Sequence, residues 1–187
     1  MDAVRVAAAF EAVPRAWFLP ASERSRTSYD GPIAIGHGQT NSQPRTVAAM
    51  LRLLDVRAGH RVLDVGSGSG WTTGLLAELT GPAGEVLGLE IEPDLVDFGR
   101  SNLGRGDWPW ARIEPARVGV LGDPGGAPYD RILVSAEARQ LPGPLVAQLG
   151  EGGRMVVPVA GEMLLVDTSS GAPEITRHGH YRFVPLR

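Results

Sequence analysis

The run Arg61-Val62-Leu63-Asp64-Val65-Gly66-Ser67-Gly68-Ser69-Gly70-Trp71 constrains what this chain can fold into more than any other segment. Val62, Leu63 and Val65 make a short apolar strand. It runs directly into three glycines spaced by two. Behind them Thr72 to Thr80 reads as a helix with Leu75, Leu76 and Leu79 on one face. Strand, glycine turn and helix in that order form a repeating unit of a parallel α/β sheet. They also leave bare backbone at the carboxyl end of the strand, where a nucleotide-like ligand can approach closely.

The glycine spacing selects among ligands. The dinucleotide fingerprint G-x-G-x-x-G fails in both frames, because its third glycine would fall at Trp71 or at Thr73. A P-loop fails too: no G-K-[ST] follows, and all 18 basic residues are arginine. What stands is G-x-G-x-G with Asp64 two residues before it. That pattern resembles the S-adenosyl-L-methionine (SAM) loop of Rossmann-like methyltransferases. The resemblance assigns Gly66, Ser67, Gly68 and Gly70 to the cofactor loop. It brings Asp64 to the methionine end of the cofactor, directly or through water. The next strand, residues 85–90, ends in Glu90, whose carboxylate can accept from both hydroxyls of a ribose. Taken singly, Glu90 is equally a solvated strand end, and the glycines are equally a tight turn without a ligand. Loop, Asp64 and Glu90 in register favour the cofactor.

Composition narrows the remaining choices. The chain has 187 residues, enough for one α/β domain with a sizeable core, and 43% are hydrophobic. The net charge of −3 offers no long-range attraction for nucleic acid or an anionic membrane surface. With no cysteine and no lysine, thiol chemistry and lysine Schiff bases are excluded. His178 and His180 lack acidic or cysteine partners nearby, so no metal is expected. The opening Met1-Asp2 is not a basic signal region, and no apolar run reaches membrane length, so the expected compartment is the cytoplasm.

The expected order begins with a helix over 2–13, ended by Pro14. An ordered loop region follows, Arg15 to Gln43, carrying Trp17, Phe18, Tyr29, Ile33 and Ile35. Pro44 opens a second helix with Val47, Met50, Leu51 and Leu54 at helical spacing. Then come strand 61–65, helix 71–80, strand 85–90 and helix 93–103. A third strand is expected at Val118–Leu121 and a fourth at Arg131–Ser135, with a helix closing over Leu145–Leu149. The last strands are expected at 155–159, 163–168 and 181–184. The whole reads as one domain: a cap over 1–44 and a mostly parallel core sheet flanked by helices over 45–187.

One further run is more specific. Ile35-Gly36-His37-Gly38-Gln39-Thr40-Asn41-Ser42-Gln43-Pro44 resembles the stretch that precedes the SAM fold in protein-L-isoaspartate O-methyltransferases. Val13-Pro14-Arg15 with Phe18-Leu19-Pro20, Ala127 to Val134, Gly152-Gly153-Arg154 and Arg182 to Leu186 resemble other segments of that family. The resemblance implies a Rossmann-like fold, SAM as methyl donor, S-adenosyl-L-homocysteine as product and no metal. It implies methylation of L-isoaspartyl carboxylates in damaged proteins or peptides, a repair reaction, with Ser42 as the catalytic serine. It assigns Asp123 to the adenine amino group, and Gln39, Thr40, Arg45, Ser135 and Glu137 to the substrate side. Asn41, Arg45 and Glu137 depart from the family's usual residues, which bears on acceptor choice.

The residues by themselves leave alternatives. Ser42, just before Pro44, is also suited to capping a helix. Asp123 before Pro124 is also a turn residue, and Asp30 starts an Asp-Gly turn. An aspartate in one dedicated peptide is a second possible acceptor. A SAM-binding interaction module without turnover is a third reading. Oligomeric state is not legible.

Overall fold

The computed structural model describes residues 1–187. Helix α1 (Ala3–Ala12) is capped by Asp2, whose carboxylate accepts from the Arg5 amide at 2.8 Å. The region expected as an ordered loop holds two 3-10 turns, Arg15–Phe18 and Ala21–Arg26, and a hairpin of β1 (Ile33–Gly36) and β2 (Gln39–Asn41). Helix α2 (Pro44–Leu54) follows, with Pro44 in its first turn, where a missing N–H costs nothing. Then come β3 (Arg61–Val65), α3 (Trp71–Thr80), β4 (Glu85–Glu90), α4 (Pro93–Leu103) and β5 (Ala111–Pro115). The chain closes with β6 (Tyr129–Val134), α5 (Gly143–Val146), β7 (Leu149–Val159), β8 (Glu162–Asp167) and β9 (Glu174–His180).

The main sheet has seven strands in the order β5-β4-β3-β6-β7-β8-β9. The strands from β5 to β7 run parallel, and β8 and β9 are antiparallel additions. From β3 the chain builds first to one side, through β4 and β5, and then to the other, through β6 and β7. This reversal beside β3 opens a crevice at the carboxyl ends of β3, β4 and β6.

Alternation along the strands sorts side chains between two buried faces. Val62 and Val86 meet α1, α2 and α3, in a cluster with Phe18, Leu51, Leu54, Leu75 and Leu76. Leu63, Val65, Leu87 and Leu89 face the other way, against Tyr129, Ile132, Val134 and Leu145. By the same alternation Asp64, Gly88 and Glu90 share the α3 face. At Gly88 α3 packs closely against the sheet. A Cβ there would sit 2.8 Å from Thr73 Oγ1 and 3.0 Å from Ile113 Cγ1.

Three expected elements lie elsewhere. The third strand is Ala111–Pro115, and residues 118–121 hold a turn at Val118-Gly119 and no strand. β5 is an edge strand that buries only Ile113, so its apolar signal is weak. The apolar run at Val118 is interrupted by Gly119 and Gly122 at positive φ, and Val118 is 88% exposed. The last strand is Glu174–His180, a polar edge strand, while residues 181–187 form a strap outside regular structure. Around Leu145–Leu149 the helix is only Gly143–Val146, and Leu149 already begins β7. No helix is long and apolar enough to cross a membrane.

Gly88→Val tests the close packing of α3. Valine suits a strand intrinsically, but here it must displace Thr73 and Ile113. We expect a loss of about 1–3 kcal/mol, typical of overpacking, read as a lower urea midpoint. An unchanged or higher midpoint would contradict the packing described.

Candidate active site

The strand β3 ends in a turn whose three glycines all take positive φ: 79° at Gly66, 53° at Gly68 and 90° at Gly70. This explains their spacing, since other residues are strained there. Gly70 is also hemmed in, because a Cβ would lie 3.1 Å from the Gly99 carbonyl of α4. The amides of Gly66 and Ser67 both donate to the Leu89 carbonyl, at 2.8 and 3.0 Å. Glu90, 6% exposed, completes the tie. Its Oε2 accepts from the Gly68 amide at 2.8 Å, and Oε1 accepts from Ile91 and Glu92 at 2.7 and 3.0 Å.

Beside this turn lies a cavity of about 430 Å³, within the roughly 300–1,000 Å³ usual for small-molecule sites. The glycine turn and Glu90 form one wall, and residues 116–122 and Ser135-Ala136 form the others. Two segments cover it: the hairpin through Gln39 and Thr40, and the strap through Val184 to Arg187. Both reach acidic residues just past Glu90. Arg187 pairs with Glu92 at 2.5 Å, and His37 Nε2 lies 3.2 Å from Asp94.

Asp64 is fully buried beneath the turn. Its Oδ2 accepts from the hydroxyls of Thr72 and Thr73, both at 2.7 Å, while Oδ1 has no partner. Burial raises its pKa to about 6, with Glu90 adding in the same direction and the two threonines opposing.

Ser42 stands on the other side of the turn. It does not cap α2. The cap residue is Gln43, with no side-chain cap bond, and Asp30 Oδ1 serves the Arg45 amide at 3.1 Å instead. The Ser42 hydroxyl makes no hydrogen bond within the protein and faces a groove of about 580 Å³. Arg45, Tyr181 and Arg182 border that groove. A narrow gap lined by Ser42, Gly68, Thr72 and Ser135 separates the serine from the glycine turn. Thr40 and Ser135 line cavity, gap and groove alike, so the two chambers meet between them. The Ser135 hydroxyl is buried and unpartnered there.

Under the Ser42 peptide lies Arg15, 5% exposed. It donates to Asn41 Oδ1 at 2.7 Å and to the carbonyls of Tyr29, Gly31, Asn41 and Ser42 at 2.7 to 3.2 Å. Asn41, also buried, donates on to Ser69 Oγ at 3.2 Å. Burial lowers the Arg15 pKa to about 10. In the sequence Arg15 stands in Val13-Pro14-Arg15, at the start of the loop region. A buried arginine whose partners are mostly carbonyls leaves no pattern in the sequence.

Most of the expected residues converge: Gln39, Thr40, Gly66, Gly68, Glu90 and Ser135 on the cavity, with Ser42 and Arg45 on the groove. Ser67 lines the gap between the chambers, and Gly70 caps α3. Two others do not fit their expected places. Asp123 is turned away from the cavity: its Oδ2 accepts from the Tyr129 hydroxyl at 2.7 Å, and only its neighbours Leu121 and Gly122 line the wall. Glu137 is not at the groove rim. Its backbone pairs with the strap at Val184 and Leu186, and its carboxylate faces the Phe183 amide at 3.5 Å.

The sequence model of the family protein-L-isoaspartate(D-aspartate) O-methyltransferase (PCMT) matches residues 1–187. The chain belongs to this family. A protein-L-isoaspartate O-methyltransferase of Methanopyrus kandleri is 46% identical, over 97% of this chain and 83% of its own. That of Methanothrix thermoacetophila is 44% identical, over 97% and 87%. A Plasmodium falciparum structure described as a PCMT in complex with S-adenosyl-L-homocysteine superposes with a TM-score of 0.88. It is 28% identical and covers 100% of this chain and 92% of its own. The PCMT fold thus extends over both the cap and the core described above.

Asp64 makes stability depend on pH. A carboxyl whose pKa rises on folding favours the folded state at low pH. That contribution is complete below about 4 and is lost as pH rises through about 6. Relative to Asp64→Asn, the wild-type protein should lose about 2–3 kcal/mol between pH 4 and pH 7. Urea unfolding of both proteins at the two pH values checks this; a pH-independent difference would contradict it.

Proposed function

We propose that this chain methylates the free α-carboxylate of L-isoaspartyl residues in damaged proteins and peptides, using SAM. The observation that carries the reading is the meeting of the cavity beside the glycine turn and the groove beside Arg45 at Thr40 and Ser135, with the Ser42 hydroxyl facing the groove. Family membership supports it, and cytoplasmic proteins are the expected acceptors.

The residues present suit the cofactor. Glu90 borders the cavity with a carboxylate already fixed by three amides, in position to accept from ribose hydroxyls as well. The orphaned Asp64 Oδ1 suits a cationic ammonium, directly or through water. The bare backbone of Gly66 and Gly68 allows close approach. When bound, SAM supplies an electrophilic methyl group on a sulfonium sulfur.

The chain's own task is positioning. An acceptor carboxylate is ionised at neutral pH, so no general base is needed and no proton changes hands in the transfer. Ser42 Oγ donates to one carboxylate oxygen and leaves the other free to meet the methyl. Ser135 Oγ, unpartnered at the junction, offers a second donor to the acceptor. The hairpin and strap each line part of the cavity and would shield a bound cofactor on those sides. Orientation of this kind can contribute roughly 7–11 kcal/mol.

The test pairs isoaspartyl and aspartyl forms of one peptide in a methyl-transfer assay. Methylation of the isoaspartyl form alone is expected. Equal methylation of the aspartyl form would instead favour a peptide-tailoring enzyme. Ser42→Ala should lower turnover about tenfold or more. Because Ser42 caps nothing, its stability should stay within about 0.5 kcal/mol, where loss of a cap would cost about 1 kcal/mol. Full turnover in the alanine variant would remove Ser42 from the mechanism.

A further inference from the structure

Arg15 is an unusual buried charge. A buried arginine is normally neutralised by a carboxylate, yet all five hydrogen bonds it makes go to neutral oxygens. Asp30, the acid whose field it feels, is itself held by Arg45 at 2.6 Å and by Gln43 at 3.2 Å. The Trp71 ring lies 5.4 Å from the guanidinium carbon and adds only a weak attraction. The guanidinium is bonded to the Ser42 carbonyl at 2.9 Å, on the residue that faces the groove.

We propose that Arg15 is a positioning and charge-complementing residue: it fixes the Asn41–Ser42 backbone and leaves a net positive field under the place where the acceptor carboxylate binds. Asn41 is central to this. As an amide it accepts from Arg15 and donates to Ser69, tying the serine strand to the glycine turn without cancelling the charge. An aspartate at this position would accept the same bond from Arg15, and the Ser69 hydroxyl could turn to donate to it. The shape would be kept and the field lost. The charge therefore selects an anionic acceptor over a neutral isostere. This rests on the functional reading above.

The experiment uses Asn41→Asp and two peptides, one isoaspartyl and one carrying a carboxamide in place of the acceptor carboxylate. KM is measured for the first, and the inhibition constant for the second. Asn41→Asp should raise KM for the carboxylate about tenfold or more. The inhibition constant of the neutral analogue should stay within about threefold, and melting temperature and SAM affinity should be retained. Equal weakening of both peptides, or of neither, would overturn the proposal. Arg15→Lys and Arg15→Gln provide a second route if Asn41→Asp does not fold. Lysine keeps the charge and should keep the carboxylate preference, whereas glutamine should lose it. The same preference in both variants would leave Arg15 a purely structural residue. If the wild-type protein methylates no isoaspartyl peptide, the functional reading fails and this inference fails with it. If only the Asn41→Asp effect is missing, the functional reading survives alone.

Discussion

The carboxylate of Glu90 holds the site together. It gathers the amides of Gly68, Ile91 and Glu92, and so joins the glycine turn after β3 to the end of β4. Hydrogen bonds from backbone amides to a charged acceptor are among the stronger ones in proteins. The turn can then pass through three positive-φ glycines without losing its place. Past Glu90 the chain bends toward Glu92 and Asp94, which meet Arg187 and His37. One acidic strand end thereby fixes the cavity's wall and the anchors of both its covers.

Two buried charges flank the same turn. Asp64 lies beneath it with one oxygen unpartnered, and Arg15 lies behind Ser42 with no carboxylate in contact. Burial works against ionisation in both, raising one pKa and lowering the other. Each would be eased by a ligand of opposite charge: an ammonium toward Asp64, a carboxylate toward Arg15. The Asn41–Ser69 bond runs between these two regions. The fold thus holds a small electrostatic imbalance on each side of the gap where cavity and groove meet.

The central unit was legible because its constraints are local. Val62, Leu63 and Val65 with the glycines specify a strand and a turn that little else can satisfy, and Glu90 follows at the next strand end. Elements at the sheet's edges were not legible. β5 buries a single large side chain, Ile113, and β9 lies exposed, so neither carries the apolar pattern of a central strand. The apolar run at Phe183-Val184-Pro185-Leu186 reads like a strand because its residues line the groove and the cavity, which also call for apolar side chains. Asp123 and Glu137 were displaced by partners distant enough to be invisible in a motif: Tyr129 for the first and the strap for the second. Arg15 was missed because carbonyl oxygens, supplied by any residue type, are most of what holds it.

Catalysis depends on where the acceptor sits, and a crystal structure of the ternary complex with S-adenosyl-L-homocysteine and an isoaspartyl peptide measures that directly. The ribose hydroxyls are expected on Glu90. The acceptor carboxylate is expected at the Thr40–Ser135 junction, within hydrogen-bond distance of Ser42 Oγ and with one oxygen aimed at the cofactor sulfur. A carboxylate bound away from Ser42, or separated from the sulfur by an intact Thr40–Ser135 wall, would contradict this placement.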